Sequence, residues 1–242
     1  MRSLFLILSA CFLGLVCACS PSATTHQLTP AKNGEYVILL HGLARSPKSM
    51  EPLAKELQAA GYGTCNTGYP STKNTVEELS KTSMHEAIDR CQKMGARKIH
   101  FVGHSMGAML ARYQLANDPP PEAGKLVQLA PPNQGSEVVD RLWEWPIFLL
   151  INGPAGVSLG TGTDSLAAKL PPVTHPTLVV AGYCSINPLN SRMIPRPDDG
   201  KVSVEKTKVE GMSRHILIKT SHPMIMRNPR VMKEAVSFLR RK

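Results

Sequence analysis

The sequence predicts an α/β fold in which a mostly parallel sheet is covered by helices on both faces. Short apolar runs rich in β-branched residues alternate along the chain with longer segments whose apolar residues recur at helical spacing. Glycine and proline separate most of these segments, as expected of turns. The chain has 242 residues, of which 42% are hydrophobic, which is enough for the core of one domain.

Six apolar runs are predicted to be strands, because each is short, rich in β-forming residues and bounded by turn-forming residues. In chain order they are 35–42, 63–70, 98–105, 125–132, 177–183 and 215–222. Helices are predicted between them, after Ser46, over 75–95, over 106–117 and at the C-terminus. Thr75 and Glu78 have the spacing of a capping box, which supports the start of the second of these helices.

One strand–helix junction carries an insertion at about 133–172, the position where a lid or cap would lie. It contains the apolar run WEWPIFLLI (143–151). This run is interpreted either as part of the core or pocket lining, or as a lid surface that faces lipid.

The first twenty residues, MRSLFLILSACFLGLVCACS, contain one basic residue, then an apolar stretch and then small residues. This pattern is typical of a signal peptide, here 1–18, which is absent from the mature protein and is not part of the fold. The segment VCAC (16–19) resembles the bacterial lipobox, and this resemblance implies that Cys19 is lipidated and that Ser20 favours the outer membrane. A lipobox ending at Cys11, which leaves too short an apolar core, and an ordinary signal peptide without lipid are the alternatives.

The polar segment 19–33 shows no apolar periodicity and is predicted to be a flexible tether to a domain over 34–242. We therefore expect an exported lipoprotein of the cell envelope, anchored in the outer membrane and facing the periplasm or the exterior. A soluble periplasmic or secreted protein is the alternative.

The formal net charge is +10, but the Lys and Arg residues are scattered and do not interleave with aromatic residues. Nucleic acid is therefore not an expected partner. Three cysteines follow the N-terminal segment, Cys65, Cys91 and Cys184, and the sequence does not say which of them pair. No His and Cys spacing typical of a metal site is found, and the sequence leaves the oligomeric state open.

The segment GHSMG (103–107) places Ser105 between two glycines, where a predicted strand ends and a predicted helix begins. A turn this tight forces the serine into a strained backbone conformation, and side chains at the flanking positions would collide with the neighbouring strand and helix. Glycine removes the collision and leaves an exposed hydroxyl at the start of the helix. This context indicates a nucleophile rather than a helix-capping serine.

At this point the chain resembles the α/β-hydrolase superfamily, in particular bacterial lipases and esterases, over residues 35 to 242. The resemblance is carried by LLHGL, GHSMG, LAPPNQGS, DDGKV and SHPMIM. It implies the α/β-hydrolase fold with a lid insertion, and a catalytic triad in the chain order nucleophile, acid, histidine.

That order leaves two histidines as candidates for the base. His215 opens the last predicted strand, so its side chain is expected to pack against the sheet. His222 follows the carboxyl end of the same strand, at the edge where α/β proteins bind ligands, and is the predicted base.

Two neighbouring aspartates, Asp198 and Asp199, precede the last strand. In resembling enzymes the triad acid directly precedes a glycine and is followed, three positions later, by a valine. Asp199, with Gly200 and Val202, fits this pattern, and Asp198 is the alternative.

The resemblance also implies an oxyanion hole formed by the backbone N–H groups of Leu43 and Met106. Together these residues predict a serine hydrolase that cleaves a small-molecule or lipid carboxylic ester, with no cofactor and no metal. The alternatives are an acyltransferase that uses the same triad and a non-catalytic envelope protein that binds a lipid or a partner.

Overall fold

The computed structural model describes residues 25–142 and 146–241, and within 146–151 it describes the backbone alone. The predicted signal peptide and Cys19 lie outside the described residues, as do residues 143–145 of the apolar run in the insertion.

Seven strands form one sheet in the order β1-β3-β2-β4-β5-β6-β7. Their bounds are β1 (Thr25–Thr29), β2 (Glu35–Leu40), β3 (Gly63–Gly68), β4 (Lys98–His104), β5 (Ala123–Leu129), β6 (Thr177–Gly182) and β7 (Arg214–Ile218). All neighbouring strands from β3 to β7 are parallel, and β1 alone in this sheet is antiparallel to its neighbour. The predicted mostly parallel sheet is confirmed.

The edge strand β1 lies inside the segment that the sequence predicts to be a tether. It pairs with β3 from Thr25 opposite Gly68 to Thr29 opposite Thr64. The prediction of a flexible tether is therefore wrong for residues 25–29. An edge strand is held mainly by backbone hydrogen bonds, and its half-exposed side chains need no apolar alternation, so the sequence pattern does not reveal it.

Nine helices accompany the sheet in the described part of the chain, three of them a single turn long. Their bounds are α1 (Glu51–Ala59), α2 (Val76–Leu79), α3 (His85–Lys93), α4 (Met106–Asn117), α5 (Glu137–Leu142), α6 (Pro146–Val157), α7 (Leu166–Lys169), α8 (Pro188–Ser191) and α9 (Pro229–Arg240). Short 3₁₀ turns cover Pro47–Ser49, Glu205–Thr207 and His222–Arg227.

The helix predicted over 75–95 begins at the expected capping box but is interrupted by a π-helical turn over Ser80–Met84. Within this turn the Thr82 hydroxyl donates to the carbonyl oxygen of Glu78 at 2.7 Å. In a regular α-helix this carbonyl oxygen would accept a hydrogen bond from a backbone N–H, and here the hydroxyl competes for it. Ser80 also donates to the Gln114 side chain on α4 at 2.7 Å, which ties the turn to its neighbour.

Two apolar clusters cover the two faces of the sheet, as alternation along β2 illustrates. Tyr36, Ile38 and Leu40 belong to the cluster that includes residues of α2, α3 and α4. Val37 and Leu39 belong to the cluster that includes residues of α1 and α9. Because successive strand side chains point to opposite faces, one strand contributes to both clusters, and helices cover both faces as predicted.

The segment between β5 and β6, which contains the predicted lid insertion, folds into α5, α6 and α7. Helix α6 is kinked at Gly153, whose φ is 62°. In the described ranges no helix is both long enough and apolar enough to cross a bilayer.

Candidate active site

Ser105 lies at the junction between β4 and α4, with φ 53° and ψ −120°. L-residues rarely adopt this conformation, so the packing around it must hold the turn in place. A Cβ atom at Gly103 would lie 2.4 Å from the Ala108 nitrogen, and one at Gly107 would lie 2.4 Å from the His41 oxygen. Only glycine fits at either position without a shift of the backbone, as expected from the sequence.

His222 and Asp199 form a buried hydrogen-bonded pair. The distance from His222 Nδ1 to Asp199 Oδ2 is 2.8 Å, and the His222 N–H donates to the Asp199 carbonyl oxygen at 2.9 Å. Asp199 Oδ1 accepts from the N–H groups of Lys201 and Val202, each at 2.9 Å. Because a carboxylate accepts hydrogen bonds, Nδ1 carries the proton, and the lone pair on Nε2 is left available to act as a base.

The alternative acid and base belong to other hydrogen-bond networks. Asp198 Oδ1 accepts from the Ser191 hydroxyl and from the N–H of Gly200, both at 2.7 Å. His215 Nε2 lies 2.9 Å from the Thr207 hydroxyl. The structure therefore brings Asp199, and not Asp198, into contact with His222.

The two backbone groups predicted to form the oxyanion hole lie beside Ser105. Met106 is the next residue and is fully buried. Leu43 follows Gly42, and a Cβ atom at Gly42 would lie 3.4 Å from the Ser105 Cβ. Among the described residues, neither the Leu43 N–H nor the Met106 N–H donates to a protein acceptor. Both groups are therefore available to an oxygen atom bound next to Ser105.

The loop that carries Leu43 is held by His41 and Tyr69, for which the sequence predicts no role in the site. Their rings stack with centroids 4.1 Å apart and planes 8° apart. His41 Nδ1 donates to the Gly42 carbonyl oxygen at 2.8 Å, and the Tyr69 hydroxyl donates to the His41 carbonyl oxygen. Burial lowers the pKa of His41 to about 4, so the ring is neutral near pH 7. No local pattern signals this contact, because Tyr69 follows a different strand, β3.

His104, the residue before Ser105, directly contacts His222, the predicted base. Its Nε2 donates to the His222 carbonyl oxygen at 3.1 Å, and the two ring centroids are 4.8 Å apart. Burial, and then the charges of His222 and Arg45, hold the pKa of His104 well below its usual value. A neutral ring that donates from Nε2 positions the His222 backbone without competing for a proton.

Ser105 and His222 line one pocket with a volume of about 230 Å³. Part of its wall is apolar and comes mainly from the insertion, with Pro132, Val138, Val139 and Leu159. Another part is polar and comes from the segment after β6, with Asn187, Asn190 and Lys201. Within residues 25–142 and 146–241, no group of three or more His, Cys, Asp and Glu side chains is arranged to hold a metal ion.

Comparison with known proteins agrees with this architecture. A family model described as alpha/beta hydrolase fold matches residues 35–147, slightly less than half of the chain. The mature lipase of Bacillus licheniformis has a similar structure, with a TM-score of 0.70 at 15% identity, over 89% of this chain and 98% of that one. The chain has the α/β-hydrolase fold. In this fold the nucleophile, acid and histidine follow one another in the chain, and Ser105, Asp199 and His222 occur in that order.

Two further proteins similar to this chain are monoacylglycerol lipases. That of Paleococcus ferrophilus has a TM-score of 0.62 at 15% identity, over 90% of this chain and 98% of that one. A thermostable monoacylglycerol lipase of a Bacillus species (strain H-257) is 30% identical over 96 residues. The aligned segment covers 37% of this chain and 38% of that relative, well short of the whole enzyme.

Proposed function

We propose that this protein is a serine hydrolase of the lipase and esterase type, which cleaves a carboxylic ester through an acyl-serine intermediate. The observation that carries the proposal is the buried Asp199–His222 hydrogen bond of 2.8 Å in a pocket that Ser105 also lines. The names of the similar proteins, lipases and monoacylglycerol lipases, support the same substrate class.

The first half of the reaction forms the acyl-enzyme. His222 Nε2 takes the proton of the Ser105 hydroxyl as Oγ attacks the ester carbonyl carbon. The carbonyl oxygen becomes an oxyanion, which accepts hydrogen bonds from the N–H groups of Leu43 and Met106. The tetrahedral intermediate then collapses, and the leaving alcohol receives the proton from His222.

The second half repeats these steps with water. His222 accepts a proton from a water molecule, whose oxygen attacks the acyl carbon, and the carboxylic acid leaves as Ser105 is protonated again. Asp199 stays ionised throughout and stabilises the imidazolium that forms twice in each cycle. Its two backbone donors, at Lys201 and Val202, hold the carboxylate in the orientation that His222 requires.

The oxyanion donors and the triad contribute separately to the rate. Each backbone donor in such a hole typically stabilises the transition state by about 3–4 kcal/mol. The Leu43 N–H is fixed by a short turn in which the Arg45 N–H donates to the Gly42 carbonyl oxygen at 3.2 Å. This turn sets the donor in place before the substrate arrives.

Covalent labelling with a fluorophosphonate probe tests the proposal, because the probe reacts only with an activated serine. The wild-type protein should be labelled, and Ser105→Ala should not. Ser136 also lines the pocket, and its hydroxyl donates to the Lys201 carbonyl oxygen, so Ser136→Ala is the matched control and should retain the label. A folded wild-type protein that is not labelled, or a Ser105→Ala variant that is, would contradict the proposal.

We further propose that the mature chain is a lipoprotein anchored through Cys19, on the basis of its lipobox-like segment. Three fatty chains on one cysteine would make a firm anchor, at about 0.8 kcal/mol for each buried CH₂. Membrane fractionation of wild type and Cys19→Ser in a Gram-negative host, with mass spectrometry of the N-terminus, tests this. Membrane attachment that persists in Cys19→Ser would overturn it.

A further inference from the structure

Two cationic side chains, Arg45 and Lys201, line the pocket but have no part in the triad. Both are fixed close to it through the backbone. Arg45 closes the turn that carries Leu43, and the Lys201 N–H donates to the Asp199 carboxylate at 2.9 Å. Their side chains therefore belong to the same pocket wall as the reacting groups.

Neither cation has an acidic partner among the described residues. The ion pairs found there involve other basic groups, and the Asp199 carboxylate is already bound to His222. A third cation, Arg227, lies on the turn that begins at His222. Arg227 does not line the pocket, so the positive charge of this concave site comes from Arg45 and Lys201, and it raises the local concentration of anions.

The charges are also close enough to affect one another. Burial, and then the charge of Arg227, lower the pKa of Arg45. Lys201 is exposed to solvent but stands in a concavity, so the surrounding protein and then the Arg45 charge lower its pKa, while Asp199 raises it. An anion bound between the two side chains would relieve this repulsion.

The position of the cations in the pocket indicates which part of an ester they would meet. His222 protonates the leaving alcohol, so the alcohol part must lie on the side of His222 during the reaction. Lys201 comes from the segment after β6 that also supplies Asp199, the partner of His222, and Arg45 lies close enough to Lys201 for its charge to lower the Lys201 pKa. The apolar wall from the insertion is left for the acyl chain.

We propose that this site selects esters whose alcohol part carries a phosphate group and whose acyl part is apolar. The proposal rests on the function proposed above. A phosphate monoester carries nearly two negative charges near pH 7. Its charge therefore matches that of one arginine and one lysine better than the single charge of a ligand carboxylate would. The arginine can bind it through two parallel N–H groups and the lysine as a point charge.

A pair of esters that differ in the phosphate alone provides the test. We would measure kcat/KM for 1-lauroylglycerol and for 1-lauroylglycerol 3-phosphate below their micellar concentrations. The wild-type protein should prefer the phosphate ester by about tenfold or more, and Arg45→Gln combined with Lys201→Gln should lower this ratio by about ten- to a hundredfold, as expected for lost hydrogen bonds to a charged group.

The matched control combines Lys48→Gln with Lys55→Gln, which removes the same number of charges from exposed positions outside the pocket. This variant should keep the wild-type ratio. A wild-type ratio of one or less, or an equal fall of the ratio in both double variants, would overturn the proposal.

Two further measurements complete the test. The first distinguishes a soluble phosphate ester from a lipid one, and the second distinguishes failure of the phosphate proposal from failure of the hydrolase proposal. If 1-butyrylglycerol 3-phosphate is preferred over 1-butyrylglycerol by the same ratio, the site recognises a soluble phosphate ester. If the preference is found only for the lauroyl pair, the site recognises the lipid form. Both outcomes support selection of phosphate. If both lauroyl esters are cleaved equally and the fluorophosphonate label is intact, only the phosphate proposal fails, whereas absence of cleavage and of label would overturn the hydrolase itself.

Discussion

The two sides of the proposed site, the predicted nucleophile side and the predicted acid–base side, are held in place by different forces. Ser105 sits in a turn whose shape is set by backbone contacts, at Gly103 and Gly107, where any side chain would collide with main-chain atoms. His222 and Asp199 are held by hydrogen bonds between side chains and to backbone N–H groups of one loop. The first arrangement is a steric constraint and the second is a polar network.

Because of this difference, we expect the two sides to respond differently to substitution. A steric constraint fails through strain, so a change there acts first on the stability of the fold. A buried polar network fails when one partner is removed, so a change there acts first on the protonation and orientation of the base. Substitutions on each side can separate these two effects.

The largest effect should come from removing one reacting group on each side. Ser105→Ala and His222→Ala should each lower kcat/KM on p-nitrophenyl butyrate by about 10⁴- to 10⁶-fold, because the triad acts as a unit. The double variant should be no less active than either single variant. His215→Ala, the control, should keep most of the activity, and a double variant far below the singles would show that the two sides act independently.

The next effect compares the two neighbouring aspartates. Asp199→Asn should lower kcat by about 10⁴-fold, because an amide in place of the carboxylate favours the wrong tautomer of His222. Asp198→Asn keeps the oxygen that accepts from Ser191 and Gly200, so kcat should fall by less than about tenfold in this variant. Steady-state kinetics would measure both, and small, equal losses would mean that another residue supplies the acid.

On the nucleophile side, Gly107→Ala should lower the free energy of unfolding by about 1–3 kcal/mol, because the new Cβ would overlap backbone oxygens at the end of β2. Gly162→Ala is the control, since a Cβ there has open space, and its effect should stay within about 0.5 kcal/mol. Urea denaturation would measure both. Equal stability of the two variants would contradict the steric account of the turn.

The smallest effect should come from His104, where the two sides meet. His104→Phe keeps a ring beside His222 but loses the donor to its carbonyl oxygen, so kcat should fall by about five- to tenfold, as for one hydrogen bond. The free energy of unfolding should change by less than about 1 kcal/mol, because the lost hydrogen bond is offset by removal of the buried Nδ1 of His104, which has no partner among the described residues. Loss of stability without loss of kcat would remove His104 from the positioning role.

Local sterics made the strained turn at Ser105 predictable from the sequence, because a five-residue motif contains the whole constraint. The mostly parallel sheet and the two-sided packing followed from hydrophobic periodicity, and both are confirmed. The choice of Asp199 over Asp198 required the resemblance to a family, since both residues are aspartates in one turn. Their different hydrogen bonds depend on segments that only the fold brings together.

Contacts between distant segments were the part that the sequence could not predict. The stacking of His41 on Tyr69 and the closeness of Arg45 to Lys201 join loops that follow different strands. The π-helical turn at Ser80–Met84 is accompanied by a hydrogen bond from the Thr82 hydroxyl to the Glu78 carbonyl oxygen, and helix propensity does not predict either feature. Edge strand β1 has no signal in the sequence for a related reason, because its partner is the backbone of β3.

The direction of β1 determines which edge of the sheet would lie nearest to a lipid anchor at Cys19. Because β1 runs antiparallel to β3, its first residue, Thr25, lies opposite Gly68 at the carboxyl end of the parallel strands. Ser105 lies at the same edge of the sheet, directly after β4. For a chain held at Cys19, only the five residues 20–24 would separate the anchor from this edge, a leash of about 20 Å at full extension. Such a short linker would keep the opening of the pocket close to the lipid surface and would restrict rotation of the domain away from it.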